Sequence, residues 1–276
     1  MHIPVLLATP GPVLHFDVDF FLNFVFRPSA ALIGGLAITI YASVISQAVG
    51  VILGTLSALA GMARNRILRT ISGFYVWFFR GTPLLVQMFL VYFGTPYLLG
   101  VDLFPRDVTL GFISLRGAVL AGIVALSVNE GAYMSEIVRA GILSVDPGQT
   151  EAAKSLGMTY GLTMRRIVLP QALRVIIPPL GNEFNNMLKT TSLMSIIAVE
   201  EIFRVAQAAN SATFKSFEAF LGVALYYLLL TTIWSTIQGA VERRLGVSSS
   251  REEQPGLRAR LFGLANRSAN QVGRGG

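Results

Sequence analysis

Charged and amide side chains inside apolar stretches are the first candidates for chemistry in this chain. One set runs Asn182, Glu183, Asn186, Lys189, Thr190, Thr191 and Ser192, and a second carboxylate, Glu130, lies deep in another hydrophobic block. A carboxylate at the centre of a bilayer costs at least ~2.5 kcal/mol unless it faces a cavity or a partner. Such residues mark a pathway by default. Lys189, the hydroxyls and the amides supply donors, and Glu130 and Glu183 supply acceptors, so the set can hold both ends of a zwitterion. It can equally line a wet passage or pair helices. Enzyme chemistry finds no support. There is no cysteine, and the two histidines, His2 and His15, lie near the N-terminus. No nucleophile or metal constellation emerges, so no metal site is predicted and the chain is not read as an enzyme.

The elements that position these residues follow from composition. Of 276 residues, 53% are hydrophobic and 13% charged, with a mean hydropathy of +0.61. Soluble domains carry roughly 25% charged residues, so the chain reads as an integral membrane protein. The net charge of +7 is placed in loops and the tail, which fits the positive-inside bias and not nucleic acid.

Apolar segments are predicted over 29–63, 70–99, 116–143, 175–199 and 219–241. Each is long enough for the ~20 residues a span requires. The first contains Gly50 and Gly54, a small-xxx-small pair that we read as packing within the chain. The second is interrupted by Arg80, Gly81, Thr82 and Pro83. Pro83 lacks an N–H and disfavours helix at Thr82, so a kink or gate is expected there. Arg80 either snorkels to the interface or acts at the break. Glu136 and Arg139, three apart, are expected to pair along a helix. In the fourth segment Pro178, Pro179 and the polar run make a lipid-facing helix untenable. If that segment is helical, Asn182, Asn186 and Lys189 share a face flanked by Glu183.

Arg64, Arg66, Arg69, Lys154, Arg165, Arg166, Arg174, Arg243 and Arg244 fall on one side. The other side has fewer cations near its span ends: Arg27, Arg106, Arg116, Arg204 and Lys215. The prediction is an all-α integral membrane fold of five transmembrane helices, with the N-terminus outside and the C-terminus cytoplasmic. Residues 1–30 form an uncleaved extracytoplasmic or interfacial lead-in, 31–245 the transmembrane domain, and 246–276 a Ser-, Gly- and Arg-rich tail read as disordered.

The longest polar segment between spans is cytoplasmic on this topology. Its residues Glu151-Ala152-Ala153, Gly157, Ile167, Leu169 and Pro170 match the spacing of the EAA loop, and the segment 144–170 resembles that coupling loop of binding-protein-dependent ABC importer permeases. Phe79 to Leu84, Asn129 to Arg139 and Leu188 to Leu193 resemble the polar amino acid branch of that family, the histidine, glutamine and arginine permeases. The resemblance covers roughly 32–245. It implies a type 1 importer transmembrane domain in a bacterial cytoplasmic (inner) membrane, multi-pass, taking up a polar amino acid. It also implies two ATP-binding subunits, an extracytoplasmic amino-acid-binding protein and a second permease copy, identical or not, as partners in the lipid bilayer. No cofactor is expected on this chain, which has no Gly-x-x-x-x-Gly-Lys-Ser/Thr loop; ATP and Mg belong to the partner subunit. Gly157 is expected to allow a tight turn, and Pro170 to stop the helix and return the chain to the membrane. Glu130, Glu183 and Lys189 also suit a secondary transporter or channel driven by an ion gradient, which predicts inverted repeats and more spans.

Overall fold

The computed structural model describes residues 15–110 and 113–246; the expectations for residues 1–14 and the tail from 247 onward lie outside the described residues. The chain opens with α1 (Val18–Phe26), whose N-terminal N–H groups are met by Asp17, which accepts from Phe20 N at 2.8 Å. Ser29 caps α2 (Ala30–Gly61) in the same way. At 1.5 Å per residue, α2 is roughly 48 Å long, more than the hydrocarbon thickness of a bilayer. α3 (Arg66–Gly81) and α4 (Leu84–Phe89) follow, then a π-helical turn over 90–94 and α5 (Thr95–Leu99). A small antiparallel hairpin, β1 (Asp107–Leu110) and β2 (Ile113–Arg116), pairs Asp107 with Arg116. The fold is otherwise helical, as expected, and this hairpin is a local connection between helices.

α6 (Gly117–Leu143) is the central helix, packed on α2, α3, α4 and α9. It leads to α7 (Pro147–Ser155), α8 (Tyr160–Thr163), a π-helical turn over 164–168 and α9 (Leu169–Thr190). A 3-10 turn (191–197), α10 (Ile202–Thr213) and α11 (Ser216–Arg244) complete the described chain. α1 lies against α11, where Tyr226 donates to Val25 O at 2.6 Å.

Small residues let α2 and α6 meet. A Cβ at Gly50 would lie 2.5 Å from Glu130 Cγ, and one at Gly54 would lie 2.3 Å from Met134 Cβ. The small-xxx-small pair therefore serves packing within the chain. Ala42, Met88, Leu126 and Met194 are buried in the core that α2, α4, α6 and the 3-10 turn share. The outward faces of α2 and α11 stay apolar and exposed, as with Ile52, Leu56, Leu228 and Leu229, which suits contact with lipid.

Among the described residues, α2, α6 and α11 are long and apolar enough to cross a membrane, and the bent pair Arg66–Gly81 and Leu84–Leu99 makes a fourth candidate. The predicted segment 175–199 is not another uniform apolar rod. Its helix runs from Leu169 to Thr190 and then tightens into the 3-10 turn. Polar side chains occupy too much of its surface.

Glu201 closes the far end of α2. It is fully buried and caps α10, accepting from Phe203 N (2.9 Å), Arg204 N (2.7 Å) and the Tyr227 hydroxyl (2.9 Å). A Cβ at Gly35 would come within 3.0 Å of Glu201 C. Burial pushes the carboxyl of Glu201 up to about 7, against the pull of its donors.

Candidate functional site

A cavity of about 600 Å³ opens between α4, α6, α9 and the 3-10 turn. From α6 come Asn129, Glu130 and Tyr133, with Leu126 below, at the three- and four-residue spacing that keeps side chains on one stripe. From α9 come Glu183, Asn186, Lys189 and Thr190, and Ser192 follows from the turn. The cavity thus holds two carboxylates, one ammonium, amides and hydroxyls.

Two of the predicted lining residues face elsewhere. Asn182 precedes Glu183 by one residue, about 100° around the helix, and turns to α11, where Gln238 Nε2 lies 3.5 Å from its Oδ1. Thr191 is fully buried and donates to Leu188 O at 2.8 Å. The polar face of α9 is therefore Glu183, Asn186, Lys189 and Thr190. Asn182 belongs to the seam with α11, where Trp234 Nε1 also donates to Gly181 O at 2.7 Å.

Glu130 is 6% exposed. Gln47 of α2 donates to its Oε1 at 2.9 Å, and Gly50 leaves the space its methylenes occupy. The partner of this carboxyl is a neutral amide, which orients it without an opposing charge. Sequence reading passed over Gln47, though a lone amide in an apolar stretch was the available signal.

The break after α3 is real and stitched to α6. Thr82 is extended (ψ 147°), Pro83 precedes α4, and the two helical pieces bend by 105°. The backbone groups freed there find side-chain partners. Gln87 Nε2 donates to Phe79 O (2.9 Å) and Thr82 O (3.0 Å), and Asn129 Nδ2 donates to Gln87 Oε1 (3.0 Å) and Phe79 O (3.1 Å). Asn129 and Gln87, a second amide missed by sequence reading, hold the break. Arg80 lies beside it, with its guanidinium 5.4 Å from the Tyr133 ring centroid and 3.9 Å from Glu136. Gly81 has open space where a Cβ would stand. Glu136 and Arg139 pair at 3.1 Å as expected.

The Glu151 segment is a separate, exposed unit. Asp146 caps α7 by accepting from Gly148 N at 2.7 Å. The helix ends at a left-handed Gly157 (φ 78°), with Gly157 N donating to Lys154 O (2.9 Å) and Met158 N to Ala153 O (3.0 Å). That is the Schellman arrangement, which glycine supports without strain. Glu151 and Ala152 are exposed, Ala153 is buried, and Leu156 is 82% exposed. Ile167 sits in the π-helical turn, half-buried, and Leu169 and Pro170 open α9. The expected role of Pro170 as a stop is corrected: it follows directly on the π-helical turn, and helical backbone runs through it to Thr190.

Residues 50–247 match the family described as binding-protein-dependent transport system inner membrane component. The chain belongs to this family. The arginine transport system permease protein ArtQ of Bacillus subtilis (strain 168) is 39% identical over 214 residues, spanning 78% of this chain and 92% of that protein. The L-cystine transport system permease protein TcyB of the same organism is 40% identical over 216 residues, spanning 78% and 86%. A solved structure described as an amino acid ABC transporter with histidines superposes with a TM-score of 0.71 at 37% identity, covering 83% of this chain and 100% of that one. The fold is that of a type 1 ABC importer transmembrane subunit, and the protein is an integral membrane permease of an ABC transporter. Its family works with separate ATP-binding subunits and a substrate-binding protein.

Proposed function

We propose that this permease carries a polar amino acid, delivered by an extracytoplasmic binding protein, through a passage whose wall includes the cavity between α6 and α9. The observation that carries the reading is the convergence of Glu130, Glu183, Asn186, Lys189, Thr190 and Ser192 on one space. An ammonium and a carboxylate of the solute each find an opposite charge there, and hydroxyls can replace water along the way. Relatives named for arginine and cystine transport support the amino acid class.

The remaining organisation is part of the same proposal. The chain crosses the bacterial inner membrane five times, with α9 as the polar span, its N-terminus outside and its C-terminus cytoplasmic. Residues 31–245 form the transmembrane domain, 1–30 an outer lead-in and 246–276 a cytoplasmic tail. A second permease copy completes the pathway, and two ATP-binding subunits hold ATP and Mg, with none on this chain. α7, with Glu151, Ala152, Ala153 and Gly157, docks on one of those subunits. Ile167, Leu169 and Pro170 carry its displacement into α9, and the break at Arg80 to Pro83 acts as a gate. The exposed Leu156 and the capped, charged helix suit insertion into a partner groove.

The test is uptake of labelled amino acids into proteoliposomes containing the permease, its ATP-binding subunits and its binding protein. Uptake that requires ATP and the binding protein is expected. Uptake without the ATP-binding subunits would overturn the reading.

A further inference from the structure

A second cleft, of about 370 Å³, lies between α2, α3 and α6. It is distinct from the transport cavity in lining and in charge. Arg69 and Arg80 reach it from α3, and Arg139 and Glu136 from α6. Three guanidinium groups against one carboxylate leave two positive charges around one space. Arg139 and Arg80 share Glu136, while Arg69 has no carboxylate within salt-bridge distance among the described residues.

The floor of the cleft is a closed set of hydroxyls. Ser135 Oγ donates to Ser57 Oγ at 3.0 Å, Ser72 Oγ donates to Ser57 O at 2.7 Å, and the Ser57 and Ser72 hydroxyls meet at 3.0 Å. These groups are satisfied among themselves, so the donors left for a ligand are guanidinium N–H groups. Their fork geometry matches phosphate oxygens.

α3 presents its basic residues to the cleft and its apolar residues away from it. Arg69, Gly73, Val76 and Arg80 follow one stripe of α3 into it. Ile67, Ile71 and Phe74 follow the opposite stripe and are exposed, and Trp77, 70% exposed, stands at the rim. A basic stripe beside an exposed apolar stripe with a rim tryptophan is the layout of a helix lying at a membrane interface. The cleft runs along α3 from Arg69 to Arg80, beside the half of α6 that leads to α7.

We propose that this cleft binds the phosphate headgroup of an anionic phospholipid, with its acyl chains leaving past Trp77 at the rim. On the proposed orientation the lipid comes from the cytoplasmic leaflet, whose anionic headgroups attract basic segments. The occupied cleft ties α3 to α6 on the side of the bend away from the transport cavity.

The test uses the delipidated permease complex, titrated with dioctanoyl phosphatidylglycerol, with phosphatidylcholine of the same chains, and with inorganic phosphate. Saturable stabilisation against thermal unfolding and a bound-lipid mass peak are expected with phosphatidylglycerol only. Arg69→Gln weakens that binding about fivefold, the share of one arginine near a charged surface, and Arg69→Lys retains most of it. If Arg69→Gln does not assemble, Arg69→Met carries the comparison. An equal response to phosphatidylcholine would reduce the site to an apolar groove and overturn the proposal. An equal response to inorganic phosphate would assign a free-anion site and overturn the lipid. Unchanged phosphatidylglycerol binding in Arg69→Gln and Arg69→Met would overturn it as well.

Discussion

Glu130 and Glu136 lie on the same helix, six residues apart, and have opposite surroundings. Glu130 is buried on the cavity side, touched by the neutral amide of Gln47 and pressed on Gly50. Glu136 is half-buried on the other side, with Arg139 at 3.1 Å and Arg80 at 3.9 Å. The first borders an open cavity with only a neutral partner. The second spends its charge holding helices together and still leaves its cleft positive. α6 thus separates two polar compartments of different sign, and residue type alone does not tell them apart; the partners do.

The largest effect is expected where the two sides are held in place. Gly54→Leu drives a side chain into Met134, where even a Cβ would stand 2.3 Å away. Overpacking of this kind costs roughly 1–3 kcal/mol or more, and a sharp fall in purified yield and unfolding temperature checks it. Next, Glu130→Gln removes the carboxyl group while keeping the side-chain shape. ATP-driven uptake should fall about tenfold, in line with the loss of a charged hydrogen bond, with membrane insertion unaltered. Glu136→Gln removes a charge from the shared pair. An exposed pair is worth only ~0–1 kcal/mol, so uptake should change by less than about fivefold. Equal losses in the two variants would erase the distinction between the compartments.

Two further experiments sharpen the contrast from outside α6. Gly157→Val places a branched side chain at φ 78°, costing about 1–2 kcal/mol locally. It should uncouple ATP hydrolysis from uptake while the transport cavity stays intact, as should Glu151→Lys; normal coupling in both would remove α7 from its proposed role. The smallest effect concerns Glu201, whose carboxyl is raised from 4.5 to about 7 by burial. Its folded form holds the proton more tightly than its unfolded form. Its contribution to stability is therefore full below about pH 4.5, declines as pH rises towards 7, and is level above that. Glu201→Gln should flatten that slope in thermal unfolding between pH 5 and 7.5, buffer values on the order of those two carboxyl limits.

Much of this organisation was legible in the residues. The capped helix and its left-handed glycine followed from Gly157 and the flanking Ala and Leu run, because turn chemistry is local. The bend at Pro83 followed from a missing N–H. The cavity was legible in outline from Glu130, Glu183 and Lys189, since ionised groups in apolar segments have few places to go. What was not legible depended on rotation and on distant partners. Asn182 and Glu183 are neighbours, and only the packing of α9 on α11 decides which of them faces the cavity. Gln47 and Gln87 carry no charge, and their importance appears only once Glu130 and Asn129 are brought to them across 83 and 42 residues of chain. Pro170 does not stop the helix because it follows a π-helical turn, whose wider hydrogen-bond spacing the residue pattern does not reveal.

The close seat of Glu130 on Gly50 also constrains how this wall of the cavity can change. A Cβ at position 50 would stand 2.5 Å from Glu130 Cγ, so the two positions cannot drift independently. A larger residue at 50 requires a smaller one at 130, and any attempt to redesign the cargo by exchanging Glu130 begins with whichever partner position 50 will permit.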